Sequence, residues 1–186
     1  MSDVATLEAV RERFAVYRDQ AERALAQMDD DAFVARLGAV DPAAILVKHV
    51  AGNLRSRWTD PLTTDGEKPD RYRDTEFELT EVDTREALMA AWADGWGRLD
   101  ESLAALGPDD LDRKLTIRAQ PVSVISALLR SLAHTASHVG QIVLLAKYSA
   151  GEDWQTLSIP RGGSEAFAAS MRARHGGPEA EPPPTT

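Results

Sequence analysis

The stretch from Ser123 to Ala150, SVISALLRSLAHTASHVGQIVLLAKYSA, decides the fold. Drawn as a helix, it places Val124, Leu128, Leu132 and Val139 on one side, with Leu129, Val143 and Leu144 on others. A helix apolar most of the way round belongs in the middle of a bundle or in a membrane. Arg130, His134, Ser137, His138 and Gln141 interrupt the run and argue against a membrane span. About 27 residues at 1.5 Å each make an element roughly 40 Å long, enough to cross a small domain. Ser123 is placed to cap its start and Gly151 to close its end. Within it, His134 and His138 are four apart, which stacks two imidazoles on one helical face within reach of one metal ion.

Working outward, three more long helices are expected. Leu7, Val10, Phe14, Tyr17, Ala21, Leu25 and Met28 recur at three- and four-residue steps, giving an amphipathic helix over about 4–28. A short turn or helix (32–37) follows. Asp41-Pro42 reads as cap and first helical residue of a second long helix, which carries Ile45, Leu46, His49, Val50, Leu54 and Trp58 and ends near Asp60-Pro61. Val82 and Asp83 introduce a third, with Glu86 set for a capping box. Its apolar stripe is Leu88, Trp92, Trp96, Leu99 and Leu103, and Gly107-Pro108 stops it. Trp92 and Trp96 read as core packing.

Between the second and third helices, residues 61–82 show no period and carry Pro, Gly, Asp and Thr. Crossovers this long are uncommon in compact domains and often functional. Leu115 to Arg118 alternates apolar and polar, as in one half of a small hairpin. A last short helix is expected over 164–174. The fold class is therefore all-α, a four-helix bundle with a long crossover loop and a small β-hairpin. Residues 1–174 are expected to form a single bundle domain, and 175–186, rich in Pro and Gly, a disordered tail.

The chain of 186 residues carries 30 acidic and 21 basic side chains, a net charge of -9, and no cysteine. Such a surface repels phosphate backbones and anionic lipid, so neither nucleic acid nor membrane is an expected partner. Without cysteine there is no disulfide framework and no thiolate zinc site. The first residues, MSDVATLEAVRERF, lack the order of a signal peptide, so a cytoplasmic location is expected.

Three of the four histidines, His49, His134 and His138, fall inside expected helices on or beside apolar faces. Each could be a core histidine bonded to a neighbour. Together, two of them at HxxxH spacing, they could also share an ion, since neutral imidazole is the commonest protein ligand for a borderline divalent metal. Two ligands from one helix and one from another fill three of four tetrahedral positions, the arrangement of catalytic zinc sites. Position 135 is Thr, so this is not the HExxH of zinc proteases, and no glutamate stands beside the first histidine as general base.

The stretches KHVAGNLRSRWTDPLTTDGEKPDR (48–71), LAHTASHVGQIVLLAK (132–147) and SIPRGGSEAF (158–167) resemble the DinB/YfiT-like superfamily, in an uncharacterised branch of it. The likeness runs from the first helix to about Phe167. It implies a four-helix bundle, commonly a homodimer, with a divalent metal, usually zinc or nickel, on His49, His134 and His138. Some members of the superfamily transfer small thiols such as bacillithiol or mycothiol, or use them in isomerisation. Apolar helical surface at Trp58, Trp92 and Trp96 agrees with a dimer.

Four further residues are candidates for substrate binding. Asn53 lies one turn beyond His49, and Arg57, four further on, could hold a carboxylate or serve a salt bridge. Gln141, three after His138, could reach a metal-bound water or bond within the core. Arg161, beside Gly162-Gly163-Ser164, could help hold an anion or belong to a plain loop. The expected function is a metal-dependent enzyme that activates a small thiol for attack on an electrophile. The alternatives are a non-catalytic metal-binding or stress-response protein, and a metal-dependent hydrolase.

Overall fold

The computed structural model describes residues 3–176. They contain six helices, α1 (Asp3–Leu25), α2 (Asp30–Val34), α3 (Ala43–Trp58), α4 (Arg85–Ala105), α5 (Val124–Ala150) and α6 (Ser164–His175). Two strands, β1 (Lys114–Ile117) and β2 (Gln120–Ser123), form an antiparallel hairpin. The fold is a helical bundle with a small hairpin, as its apolar spacing requires. The chain divides into two units, parting after Asp153. In the second, α6 follows an exposed turn at Pro160–Gly163 and itself buries no residue. Beyond His175 and Gly176, the expected disordered tail lies outside the described residues.

The most enclosed helix is α3, not α5. Ile45, Leu46, Val47, Val50, Ala51, Leu54 and Trp58 are all buried, and α3 packs against α2, α4 and α5. In α5, by contrast, Leu129, Leu144 and Tyr148 are exposed. Apolar residues on every side of α5 therefore do not mean burial on every side: its covered faces are those turned to α1 and α3. Where α3 crosses α4, Gly95 has no room for a side chain, since a Cβ there would meet the backbone of Ala51. The missing Cβ lets the two helices approach closely.

Trp58, Trp92 and Trp96 are inside the bundle, each at most 2% exposed. The rings of Trp92 and Trp96 meet at 5.6 Å, tilted by 57°, and Phe14 of α1 makes an edge-to-face contact with Trp96 at 6.3 Å. They form core and leave no apolar surface for a partner, so the expectation that they supply a dimer face is corrected.

Helix ends are satisfied by side chains from neighbouring elements. Arg85, at the start of α4, donates to the carbonyls of Leu25 and Met28 after the last turn of α1 (2.7 and 2.8 Å). Arg11 of α1 does the same for Leu103 and Leu106 at the end of α4. Cations at helix C-termini bond free carbonyls and suit the dipole. Two caps differ from those expected. The N-cap of α3 is Pro42, extended at ψ 162, and its carbonyl accepts from Ile45 and Leu46 while Asp41 pairs with Arg36. The N-cap of α4 is Thr84, which accepts from Ala87 N, because Asp83 is engaged by Lys48 and Thr80. The caps of α5 are Ser123 and Gly151, as the residue types demand.

The crossover between α3 and α4 is tied down along its length. Ser56 donates to the carbonyl of Gly66 (2.8 Å) and accepts from Lys68 N (3.1 Å). Gly66 N donates to Thr116 O in β1, making a short parallel bridge. The hairpin turn, Arg118-Ala119, has φ of 54° and 60°, a conformation usually left to Gly or Asn. Asp65 makes it tenable: its carboxylate accepts from the backbone N–H of both Arg118 (2.8 Å) and Ala119 (2.7 Å). Further along, a 3-10 turn over Arg73–Phe77 packs on α3 and carries a buried glutamate, Glu76.

Candidate metal centre

His49 sits mid-way along α3, and His134 and His138 lie one turn apart on the face of α5 that meets it. Ring centroids are 5.1 Å apart for His49 and His134, 5.0 Å for His49 and His138, and 4.5 Å for the α5 pair. His49 Nε2 is 3.0 Å from His134 Nε2. One ligand atom from each imidazole lies within 4.8 Å of the other two. An ion bound at 2.0–2.1 Å in tetrahedral geometry needs its nitrogens roughly 3.3 Å apart. The set is thus within a small side-chain adjustment of that arrangement, and the three histidines could hold a metal ion.

The outer nitrogens decide which lone pairs face inward. His49 Nδ1–H donates to Glu76 Oε2 at 2.7 Å, both side chains being buried, which turns Nε2 to the shared space. Glu76 is held in turn by Arg71, whose Nε and terminal nitrogen donate to its two oxygens at 2.8 and 2.9 Å. His138 Nδ1–H donates to Gln141 Oε1 at 2.7 Å, so its Nε2 also turns to the shared space. A carboxylate or amide behind a ligating imidazole fixes tautomer and ring orientation and raises ligand basicity. His134 Nδ1 is buried with no partner.

Burial favours the neutral form of the two α5 imidazoles. Burial, with smaller contributions from His138 and His49, lowers the pKa of His134 to about 4. Burial also lowers His138, against an opposing hydrogen bond to Gln141. Burial alone would raise the Glu76 carboxyl, but the hydrogen bonds from His49 and Arg71 and the Arg71 charge hold it below the usual range. Glu76 is therefore an anion behind His49, and its negative charge favours a cation at the inner nitrogens.

A cavity of about 200 Å³ opens beside the centre, with His49 and His134 in its wall. Trp58, whose Nε1 donates to Ser131 (3.1 Å), and Leu115 and Ile117 of β1 supply its apolar surface. Of the sequence candidates, Asn53 lines this cavity with no side-chain hydrogen-bond partner among the described residues, and Arg57 lines it while paired to Glu67 at 2.9 Å and to the carbonyl of Gly66. Gln141 sits behind His138 and does not line the cavity. Arg161 belongs to the second unit, exposed ahead of α6.

Sequence reasoning missed Arg71 and Glu76. The length of the crossover signalled a working segment, but nothing in an aperiodic run with many carboxylates shows which one turns inward. One signal was present without being usable alone: Gly52, one turn from His49, has no room for a Cβ, which would strike the Glu76 carboxylate.

Fold and site together define a helical-bundle protein with a three-histidine group able to hold a metal ion. The chain matches, over residues 3–163, the family described as a protein of unknown function (DUF1572), and it belongs to that family. No curated protein and no solved structure matches it. Among the described residues, no helix is long and apolar enough to cross a membrane.

Proposed function

We propose that the protein is a metal-dependent transferase of the DinB-like kind, joining a small thiol to an electrophile. The observation that carries the reading is that two of the three clustered imidazoles, His49 and His134, lie in the wall of an open cavity, not in a sealed core. A bound divalent ion, zinc or nickel, would supply the Lewis acidity that lets a thiol lose its proton at neutral pH. His49, His134 and His138 would hold it through neutral nitrogens, with Glu76 and Gln141 keeping His49 and His138 in the required tautomer.

The cavity lining favours a thiol over water. No Asp, Glu or Lys lines it, so no general base stands ready beside the imidazoles. The nucleophile must then be one that gives up its proton easily, and a thiol at a pKa of about 8.5 does so far more readily than water. The chain has no cysteine, so the thiol comes from outside. Asn53, one turn beyond His49, offers a free amide to orient it.

The test is conjugation of small thiols to monobromobimane by zinc- or nickel-loaded protein at neutral pH. A rate above the uncatalysed one, lost with the metal in His138→Ala, supports the reading. A rate that survives the substitution places the activity elsewhere. No excess with several thiols at full metal occupancy leaves a metal-binding protein without turnover.

A further inference from the structure

The cavity beside the imidazoles is lined by five arginines, Arg57, Arg71, Arg73, Arg118 and Arg130, and by no carboxylate. In a chain of net charge -9 this is a local reversal of sign. Two carboxylates behind the wall reach these cations. Glu76 takes Arg71, and Glu67 is shared by Arg57 (2.9 Å), Arg118 (2.8 Å) and, more distantly, Arg71 (3.9 Å). Arg73 has only Asp74 at 3.6 Å, on a side chain 99% exposed. Arg130 has no hydrogen-bond or ion-pair partner among the described residues.

A plain alternative is that these arginines rest their stems on apolar surface. Arg73 does lie over the Phe77 ring at 5.0 Å. Stem packing, however, does not explain why one glutamate, Glu67, serves three guanidinium groups while Arg130, exposed at the cavity, has no counterion among the described residues. Arg118, moreover, is held at φ 54°, where a side chain other than Gly costs energy, by the Asp65 clamp on its own N–H. The turn so held places Arg118 in the cavity wall, its side chain 53% exposed. Guanidinium groups pair with carboxylate and phosphate through two parallel hydrogen bonds.

We infer that the cavity binds a small dianion, a dicarboxylate or a phosphate ester, with its charged end at Arg118 and Arg130 and its other end toward His49 and His134. The inference rests on the transferase reading and adds the charge class of its substrate. At about 200 Å³ the cavity suits a small molecule.

The experiment is calorimetric titration of the full chain, zinc-loaded and zinc-stripped, with succinate, glycerol 3-phosphate and uncharged succinamide. One of the dianions should bind one to one in both forms, at least tenfold tighter than succinamide, and the better of the two tells carboxylate from phosphate. Arg130→Glu and Arg118→Gln should each weaken it tenfold or more, while Arg55→Gln, on α3 but outside the cavity, leaves it unchanged. Equal affinity for succinamide, undiminished binding in Arg130→Glu, or no saturable binding of either dianion at about 10 mM would overturn the inference. Zinc content is measured on the same samples. Wild-type protein that takes up zinc but binds neither dianion sinks this inference alone, whereas wild-type protein unable to take up zinc sinks the three-histidine reading.

Discussion

Nδ1 of His49 lies 2.7 Å from Oε2 of Glu76, a residue 27 positions later in a different element, and the contact is buried from both sides. It binds the crossover to α3 at the candidate metal centre and sets the orientation of the imidazole.

Glu76→Gln keeps the shape but removes the charge behind His49 and the counterion of Arg71, whose side chain is 4% exposed. Losing such an outer carboxylate typically costs 10- to 100-fold in metal affinity. Arg71 would keep only the Glu67 carboxylate, at 3.9 Å, so the fold should also lose stability, by up to about 3–5 kcal/mol. Zinc competition against a chelator and thermal unfolding read the two effects separately. Unchanged zinc affinity would show that Glu76 does not tune the centre.

Gly52→Ala and Gly97→Ala should move in opposite directions. Both are mid-helix glycines, and replacing one by Ala gains up to about 1 kcal/mol of helix propensity. Gly97 has open space at its Cβ position and should show that gain in thermal unfolding. At Gly52 the new methyl would meet the Glu76 carboxylate, so the substitution should push Glu76 off His49 and lower zinc affinity. A Gly52→Ala protein as stable and as zinc-avid as wild type would contradict the packing described for that turn.

Metal-free protein should lose stability on mild acidification. Burial holds His134 at about pKa 4 in the fold, against about 6.5 in the unfolded chain. Between those values the unfolded state takes up a proton that the folded state refuses, so stability falls as pH drops through this window. Glu76, with its lowered pKa, contributes a loss of its own only below about 4.5, the ordinary value from which it is depressed. Melting temperatures recorded from pH 7 to 5 therefore isolate the imidazoles, and His134→Gln should flatten the slope. A wild-type profile already flat over that range would refute the assignment.

Asp65→Ala should loosen the hairpin turn without unfolding the bundle. The carboxylate accepts from the backbone N–H of Glu67, Arg118 and Ala119, and the first two of its stabilising bonds, from Glu67 and Ala119, hold its pKa below the usual value. Without it, the Arg118 and Ala119 amides should exchange with solvent faster by tenfold or more, while α3 amides keep their protection. Equal protection in the two proteins would mean that the turn holds itself.

A homodimer remains a proposal drawn from the resemblance, now without the tryptophans that once supported it. Sedimentation velocity at micromolar concentration should give a species of twice the chain mass. A single species at the monomer mass would remove it.

The spacing of apolar residues determined the four long helices by itself, because a 3.6-residue period survives whatever the helix later packs against. The same holds for Ser123 and Gly151 as the caps of α5, since caps are local chemistry. Two of the three imidazoles were legible as a pair because four residues on a helix is a distance in space as well as in sequence. Local rules failed where a neighbour competed: Asp83 did not cap α4 because Lys48 holds it, and Pro42 displaced Asp41 at the start of α3. Which helix lies innermost was decided only by tertiary packing, since Leu129 and Leu144 look no different in sequence from Leu54 and Leu128, yet are left exposed. The pairing of Glu76 and Arg71 with His49, and the gathering of arginines from α3, the crossover, the hairpin turn and α5 around one cavity, depend on the path of an aperiodic crossover segment. Such a segment has no period to read: its course is set by long-range contacts such as Ser56 with Gly66 and Asp65 with the hairpin turn, which exist only once the chain has folded.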